Sequence, residues 1–315
     1  MNRVVYGAPP SNTPAGGVKV IYRHSELLRK IGVDSAVWHP GASDFKCTWF
    51  ENQIITIDTE NLSPKEDFII LPEIWASNYV SNFKRLGFRV GIFVQNCYYT
   101  HFNLNSENKD AIENAYQEAD IIMSISQDTT KYLRDILRIP EDKIILLRYS
   151  VDAGLFKSKN KSKLITYMPR KMGQHSSRVI SELNRLIPSG WEIRALDGLS
   201  EIDIANNLSE SIIFLAFSEF EGLPVPPVEA ALSGNIVIGY HGQGGREYWL
   251  EPNFIEIQQG DIQAFIEKTL RQINLINLNK LNLEDINHNI EKIQNYFSSE
   301  NEKEMLLNLV KRIGI

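Results

Sequence analysis

Two glutamates stand eight positions apart at a turn in the second half of the chain: Glu221 begins the sequence E-G-L-P-V-P-P-V-E and Glu229 ends it. A carboxylate accepts hydrogen bonds from hydroxyl groups and repels phosphate. We therefore expect both side chains to hold hydroxyl groups of a ligand. Gly222, Leu223 and Pro224 lie between them and predict a tight turn.

The elements around this turn are predicted to place backbone N–H groups beside the two acids. Residues 211–217 read S-I-I-F-L-A-F, an apolar run typical of a strand buried on both faces. Residues 226–232 predict a short helix that begins with proline and stops at Ser233-Gly234. In a parallel α/β sheet, such a strand–turn–helix unit directs free N–H groups and the positive end of a helix dipole toward an anionic ligand.

A second glycine-rich segment follows the helix. Residues 235–239 predict another strand, and the loop 241–247 (H-G-Q-G-G-R-E) brings Gly244 and Gly245 to the same edge of the sheet. Glycines allow backbone amides to approach a diphosphate closely. A ligand that carries both phosphates and hydroxyls is a nucleotide sugar, which is the ligand class we expect.

The segment from residue 221 to residue 247 resembles a known motif. The runs E-G-L-P-V-P-P-V-E, A-A-L-S-G-N-I-V-I-G and G-G-R-E occur in order. They are similar to the E-x7-E region of retaining glycosyltransferases with the GT-B fold, the nucleotide-sugar-dependent group 1. The family usually has Glu-Ala-Met-Ala where this chain has Glu-Ala-Ala-Leu. The alternative interpretation is that Glu221 and Glu229 are solvated acids at helix boundaries of an ordinary α/β domain.

The resemblance implies a role for each residue of the donor side. Relatives bind the donor through two acids and two glycine turns. In this chain these are Glu221 for the sugar, Glu229 for the ribose, and Gly222-Leu223-Pro224 with Gly244-Gly245 for the diphosphate.

Arg170 and Lys171 are the cations predicted at the same edge, because they follow a predicted strand at residues 164–168. Relatives hold the donor diphosphate with an arginine here and a lysine a few residues later. That later position falls near His175, so Lys171 is an offset substitute for it. A cation at this edge stabilises the charge of a departing nucleoside diphosphate, so the resemblance gives Arg170 and Lys171 catalytic roles with Glu221. The alternative is a surface Arg-Lys pair.

Five residues of the first half are predicted at the carboxyl edge of a first sheet: Gly16, Gly17, Glu73, Gln95 and Asn96. The glycine pair separates a predicted strand from a helix, and the other three residues follow two further strands. The resemblance implies that this edge binds the acceptor. Many relatives carry a histidine or aspartate where this chain has Gln95-Asn96. The alternatives are a flexible turn at the glycine pair and a structural role for Glu73.

Alternating strands and helices predict an α/β protein with two Rossmann-like domains. The resemblance implies that they face each other across a cleft, as in the GT-B fold. We expect an acceptor-side domain at residues 1–155, a nucleotide-sugar domain at residues 156–297, and a terminal helix at residues 298–315 that crosses back to the first domain. The sequence R-Y-S-V-D-A-G-L-F at residues 148–156 resembles the interdomain connection of the family.

The composition argues against several classes of protein. A net charge of −6 over 315 residues gives no global field that would attract nucleic acid. No apolar run reaches the length of a membrane span or forms a signal peptide. Two cysteines, scattered histidines and the lack of any Asp-x-Asp supply no metal-binding motif. We expect neither a metal nor another cofactor. We also expect a cytoplasmic location, with peripheral binding to the inner face of the membrane as an alternative.

The function that the resemblance implies is transfer of a hexose from a nucleoside-diphosphate sugar to a hydroxyl of a glycan or other acceptor. The transfer would proceed with retention of configuration, in glycan or polysaccharide synthesis. Two alternatives stay open: a nucleotide-sugar epimerase of the GT-B fold, and a non-catalytic homologue that binds a nucleotide sugar or glycan. Residue types do not choose the base, the sugar or the acceptor, because such choices depend on pocket shape.

Overall fold

The computed structural model describes residues 2–42, 44–101 and 109–315. The polar loop that composition predicts at residues 98–108 therefore lies partly outside the described residues. The chain divides into two compact units. The first unit is Met1–Tyr149 together with Glu302–Ile315, and the second is Ser150–Asn301.

Among its described residues, the first unit contains a seven-stranded sheet in which every strand pairs in parallel, in the order β3-β2-β1-β4-β5-β6-β7. The strands are β1 (Arg3–Gly7), β2 (Asp34–Trp38), β3 (Thr56–Ile57), β4 (Asp67–Pro72), β5 (Arg89–Val94), β6 (Ile121–Ser124) and β7 (Ile144–Leu146). The helices that alternate with them are α1 (Gly16–Lys30), α2 (Ala76–Arg85), α3 (Lys109–Glu118) and α4 (Gln127–Asp135).

Apolar runs explain why the central strands of this sheet are buried. All six residues of β4 are buried, as expected for a parallel strand covered on both faces.

Local capping fixes the start of α4, because the Ser126 hydroxyl accepts a 3.1 Å hydrogen bond from the Thr129 backbone N–H. The sequence predicts this cap.

The second unit contains a five-stranded parallel sheet in the order β12-β11-β10-β8-β9. Its strands are β8 (Leu164–Tyr167), β9 (Glu192–Ala195), β10 (Ile213–Glu221), β11 (Ile236–Gln243) and β12 (Phe254–Glu256). Its helices are α5 (Gly173–Leu186), α6 (Glu201–Glu210), α7 (Pro226–Leu232), α8 (Ile262–Asn277) and α9 (Leu283–Tyr296).

The last helix, α10 (Ser299–Ile313), packs on the first unit from Glu302 onward. The Glu302 side chain is 1% exposed and accepts a 2.8 Å hydrogen bond from the Arg23 guanidinium on α1. At the other end of α10, Arg89 donates a 2.6 Å hydrogen bond to the Ile313 carbonyl. A partly buried ion pair and a cation at the helix C-terminus therefore hold this helix to the first unit.

Two predicted boundaries are wrong at the strand ends of the second unit. The sequence predicts that β10 ends at residue 217 and that β11 ends at residue 239. Instead, β10 continues through a bulge after Ser218, and Glu221 pairs with Gln243. Phe220 takes a positive φ of 48° within this bulge. The glycines between residues 239 and 245 allow the two strands to stay side by side, so part of the predicted glycine loop is strand.

A third boundary is wrong at the start of α1. The sequence predicts a loop through Gly17, but α1 begins at Gly16. The N–H groups of a first turn have no intrahelical acceptor, so the helix can begin at this pair. A Cβ on Gly17 would lie only 3.2 Å from the Gln95 side-chain oxygen, whereas a Cβ on Gly16 would meet no atom within 4 Å.

Candidate functional site

The strand order of the second unit creates a crevice between β8 and β10. The chain runs from β8 to β9 on one side and then returns to β10 on the other side of β8. At such a switch point the connections after the two central strands leave in opposite directions. Ligands of open α/β sheets bind there, beyond the carboxyl ends of the strands. The first candidates to consider are therefore the residues that directly follow β8 and those that end β10.

Lys171 and Glu221 meet across this switch point. The Lys171 ammonium donates a hydrogen bond to Glu221 Oε1, and the two side chains form an ion pair. The Glu221 side chain is 16% exposed and the Lys171 side chain is 53% exposed. Partial burial and the neighbouring Arg170 guanidinium lower the pKa of Lys171 to about 8. The site therefore holds one carboxylate and one lysine whose charge is sensitive to mildly alkaline pH.

Arg170 is the second cation at this edge and lies exposed directly after β8. Within the described ranges of the chain, its guanidinium makes no hydrogen bond or ion pair. Its donors are therefore available to a ligand. The fixed fork of a guanidinium suits an anion with several oxygens, such as a phosphate group.

The glycine turns after β10 and β11 lie in direct contact with each other. A Cβ on Gly244 would lie 1.9 Å from the Gly222 carbonyl oxygen, so no other residue fits there without moving the backbone. The contact at Gly245 is looser, with 3.1 Å between a built Cβ and the Pro224 ring. The two turns predicted to bind a diphosphate thus lie against each other, with their closest approach at Gly222 and Gly244.

Tyr248 fastens these two turns together, and sequence reasoning missed it. Its buried hydroxyl donates a 2.7 Å hydrogen bond to the Pro224 carbonyl. The residue before it, Glu247, accepts a 2.9 Å hydrogen bond from the Tyr296 hydroxyl on α9. A tyrosine directly after a glycine turn is a usable signal, since buried tyrosine hydroxyls generally find a partner.

Glu229 lies in the first turn of α7 and is partly buried. Its backbone N–H donates to the Val225 carbonyl at 3.1 Å, and Pro226 and Pro227 precede it at the helix start. A carboxylate in a first turn is favoured by the helix dipole. Glu221 and Glu229 therefore lie at opposite ends of the Gly-Leu-Pro connection, as the sequence predicts.

The first unit brings together four of the five predicted acceptor-side residues. The buried Glu73 carboxylate accepts hydrogen bonds from the backbone N–H groups of Gln95 at 3.3 Å and Asn96 at 2.9 Å. The Gln95 side chain in turn donates to the Gly17 carbonyl at 3.2 Å. Burial raises the pKa of Glu73 to about 7, against the lowering effect of its backbone hydrogen bonds. Gly16 opens α1 beside this cluster.

This cluster also follows a change of direction in its sheet. The neighbours of β1 are β2 and β4, and the chain passes from β3 back to β4 on the other side of β1. Glu73 follows β4, and α1 with its two glycines follows β1. Each unit therefore carries its predicted polar residues at its own switch point.

Within residues 2–42, 44–101 and 109–315, no group of three His, Cys, Asp or Glu side chains is arranged to hold a metal ion. No helix in this described part of the chain has both the length and the apolarity needed to cross a membrane.

The comparisons with known proteins concern the fold. Neither a protein-family model nor a curated protein matches the sequence. Sucrose-phosphate synthase from Thermosynechococcus elongatus matches with a TM-score of 0.73 at 11% identity, over 99% of each chain. Anabaena HepE in complex with UDP matches with a TM-score of 0.72 at 11% identity, over 99% of this chain and 100% of that one. A glycosyltransferase from Rickettsia africae ESF-5 gives 0.65 at 15% identity, over 98% and 97%.

The fold is GT-B. Two parallel α/β sheets, each within its own unit, match these structures over nearly the whole chain. The predicted fold class is confirmed. At identities of 11 to 15% the likeness describes the architecture, and the chemistry has to be argued from the residues of this chain.

Proposed function

We propose that this protein is a retaining glycosyltransferase that transfers a hexose from a nucleoside-diphosphate sugar to a hydroxyl group of an acceptor, in glycan or polysaccharide synthesis. One observation carries the proposal. Lys171 from the β8 connection and Glu221 from the end of β10 form an ion pair at a switch point, with Arg170 beside them. A cation suited to a diphosphate, Lys171, thus lies in direct contact with a carboxylate suited to sugar hydroxyls, Glu221.

The donor side is assigned group by group. Arg170 and Lys171 bind the diphosphate, and the glycine turns at Gly222 and Gly244 supply main-chain amides to it. Glu221 accepts hydrogen bonds from the sugar, and Glu229 accepts them from the ribose. The Anabaena protein HepE, which shares the fold, has been solved with UDP and with UDP-glucose, and this supports a nucleotide sugar as the donor class.

The reaction breaks the bond between the anomeric carbon and the diphosphate oxygen. The acceptor hydroxyl oxygen attacks that carbon from the face on which the diphosphate departs, and its proton passes to the departing phosphate oxygen. Configuration is retained because the new bond forms on the side of the old one. Arg170 and Lys171 stabilise the negative charge that develops on the diphosphate, so no metal ion is required for that role.

The acceptor side is assigned to the cluster of Gly17, Glu73, Gln95 and Asn96 in the first unit. Both Glu73 oxygens are within hydrogen-bond distance of backbone N–H groups, so this carboxylate fixes the connection after β5. The Gln95 side chain carries an amide suited to hydroxyl groups. The Asn96 side chain is buried and accepts a 3.1 Å hydrogen bond from the Tyr98 backbone N–H, so it positions this connection. This assignment of the acceptor side is tested by Gln95→Ala, which should raise the KM for the acceptor.

Calorimetry with UDP, ADP and GDP, followed by product analysis with the matching nucleotide sugars, tests the proposal. We expect one nucleoside diphosphate to bind and its sugar to be transferred. Glu221→Ala and Arg170→Ala should each lower the rate at least about a hundredfold, as for loss of a charged group in an active site. Binding without transfer or hydrolysis would identify a non-catalytic homologue instead. Conversion of the donor to its epimer without acceptor would identify an epimerase.

A further inference from the structure

The ion pair between Lys171 and Glu221 joins two groups to which the proposed function gives different tasks. Lys171 binds the diphosphate of the donor, and Glu221 binds its sugar. In this structure they bind each other. The N–H that Lys171 donates to Glu221 cannot also be donated to a diphosphate. The pair therefore links the two parts of donor recognition.

The two partners differ in how firmly they are held. Glu221 is the last residue of β10, where it pairs with Gln243 on β11, and its side chain is 16% exposed. Lys171 lies on the connection after β8, and its side chain is 53% exposed at the end of a flexible stem. When the pair opens, Lys171 is the group that moves.

The charges around the Lys171–Glu221 pair favour its opening by a diphosphate. Arg170 repels Lys171, and partial burial disfavours its charge. Glu221 is the only carboxylate in ion-pair contact with Lys171 among residues 2–42, 44–101 and 109–315. A diphosphate offers more negative charge than one carboxylate and also binds Arg170. It therefore competes for Lys171 in a way that a neutral sugar cannot.

We propose that the Lys171–Glu221 pair makes recognition of the sugar depend on recognition of the diphosphate. The diphosphate draws Lys171 away from Glu221, and the carboxylate oxygen thereby released accepts a hydrogen bond from the sugar. This inference rests on the proposed function and adds regulation of the same site. A nucleoside diphosphate alone breaks the pair and leaves Glu221 without a new partner. The complete donor also breaks the pair, but its sugar then takes the place of Lys171 as the partner of Glu221.

The measurable consequence is a coupling between two substitutions. If the pair must open, Glu221→Gln removes the competitor for Lys171 and raises UDP affinity about two- to fivefold, the range of a partly exposed ion pair. Lys171→Met lowers UDP affinity about tenfold, as expected for a charged hydrogen bond. In the Lys171→Met background, Glu221→Gln leaves UDP affinity unchanged, because no pair remains to be opened.

A competing explanation makes a different prediction. If Glu221 acts only by repelling the diphosphate, Glu221→Gln raises UDP affinity equally with and without Lys171. The double variant separates the two explanations, since coupling appears only when the lysine is the link.

The experiment is titration calorimetry of UDP against the wild type, Lys171→Met, Glu221→Gln and the double variant, at neutral pH and low ionic strength. Glu219→Gln is the matched control for charge, because Glu219 is exposed and bound to Gln259 at 2.9 Å rather than to Lys171. Lys163→Met, at the opposite end of β8, is the control for the lost lysine. Circular dichroism checks that each variant is folded.

The expected result is a gain from Glu221→Gln that disappears in the double variant, with both controls unchanged. An equal gain in both backgrounds, or no gain in either, overturns the inference while leaving the proposed function in place. If the wild type binds neither UDP nor, in the same titration, ADP or GDP, the proposed function fails as well.

Discussion

The hydroxyl of Tyr248 donates a 2.7 Å hydrogen bond to the carbonyl oxygen of Pro224, and this contact joins the two glycine turns of the second unit. Tyr248→Phe removes the donor and leaves a buried carbonyl unpaired. We expect a loss of about 1–3 kcal/mol in the free energy of unfolding and weaker UDP binding, because the turn at Gly222 is no longer held. Urea unfolding and calorimetry measure the two effects.

Tyr296→Phe is the matched control for this change. It removes the 2.9 Å hydrogen bond to Glu247, the residue before Tyr248. We expect a smaller change in UDP affinity, because the Pro224 carbonyl keeps its partner. The account of Tyr248 is contradicted if both variants bind UDP as the wild type does.

Gly244 has no room for a side chain, since a Cβ would lie 1.9 Å from the Gly222 carbonyl oxygen. Gly244→Ala must therefore separate the ends of β10 and β11. We expect a loss on the order of 3 kcal/mol in the free energy of unfolding, the upper range for overpacked sites. Gly173→Ala is the control, because a Cβ there meets no atom within 4 Å. Equal midpoints of urea denaturation for the two variants would count against the close contact.

The charge of Lys171 predicts that binding of the proposed nucleoside diphosphate, tested with UDP, depends on pH. Because partial burial and Arg170 lower its pKa to about 8, Lys171 is charged below that pH and neutral above it. UDP is fully ionised across this range, so its affinity should fall as pH rises from 7 to 9. Lys171→Arg keeps its charge and should show a nearly flat profile. Calorimetry at several pH values, with Glu221 present in both proteins, makes the comparison. An equally steep fall for Lys171→Arg would exclude this lysine as the titrating group.

Glu73 gives the first unit a stability that decreases with rising pH. Its pKa is raised by burial from 4.5 to about 7, so between these values the folded state holds a proton that the unfolded state has lost. Stability is therefore greatest below pH 4.5 for this group, and about 3 kcal/mol is lost as pH rises through 7.

Hydrogen exchange of the Gln95 and Asn96 amides, which donate to Glu73, measures this local stability once intrinsic exchange rates are taken into account. Glu73→Gln should remove the pH dependence and lower protection at all pH values, because an amide accepts fewer hydrogen bonds than a carboxyl group. Protection that is independent of pH in the wild type would show that Glu73 does not carry the proton.

Local signals were sufficient for much of the fold. The run R-V-V-Y-G at residues 3–7 predicts a strand with the limits that β1 has, and Ser126 in S-Q-D predicts the start of α4. Apolar runs and capping residues act over a few positions, so sequence alone determines them. The strands β10 and β11 were predicted too short, because their pairing beyond Ser218 depends on how closely two backbones approach.

The sequence supplies candidate residues for the site but not the contacts between them. Its acids, cations and glycines follow from residue type and position after predicted strands. The Lys171–Glu221 pair joins residues 50 positions apart, and no local pattern states that they meet. The hydrogen bond of Tyr248 spans 24 positions and was missed for the same reason. Sheet order brings these residues together, and sheet order is a property of the whole unit.

The proposed reaction cleaves a nucleoside-diphosphate sugar with retention in a site built on Glu221 and Arg170. Proton NMR of the product formed from UDP-glucose, or from the sugar of whichever nucleoside diphosphate binds, tests it most directly. We predict that the first-formed product has the anomeric configuration of the donor. Glu221→Ala should slow its formation at least about a hundredfold while still binding the nucleoside diphosphate. Inverted product, or wild-type turnover by a folded Glu221→Ala variant, would contradict the account.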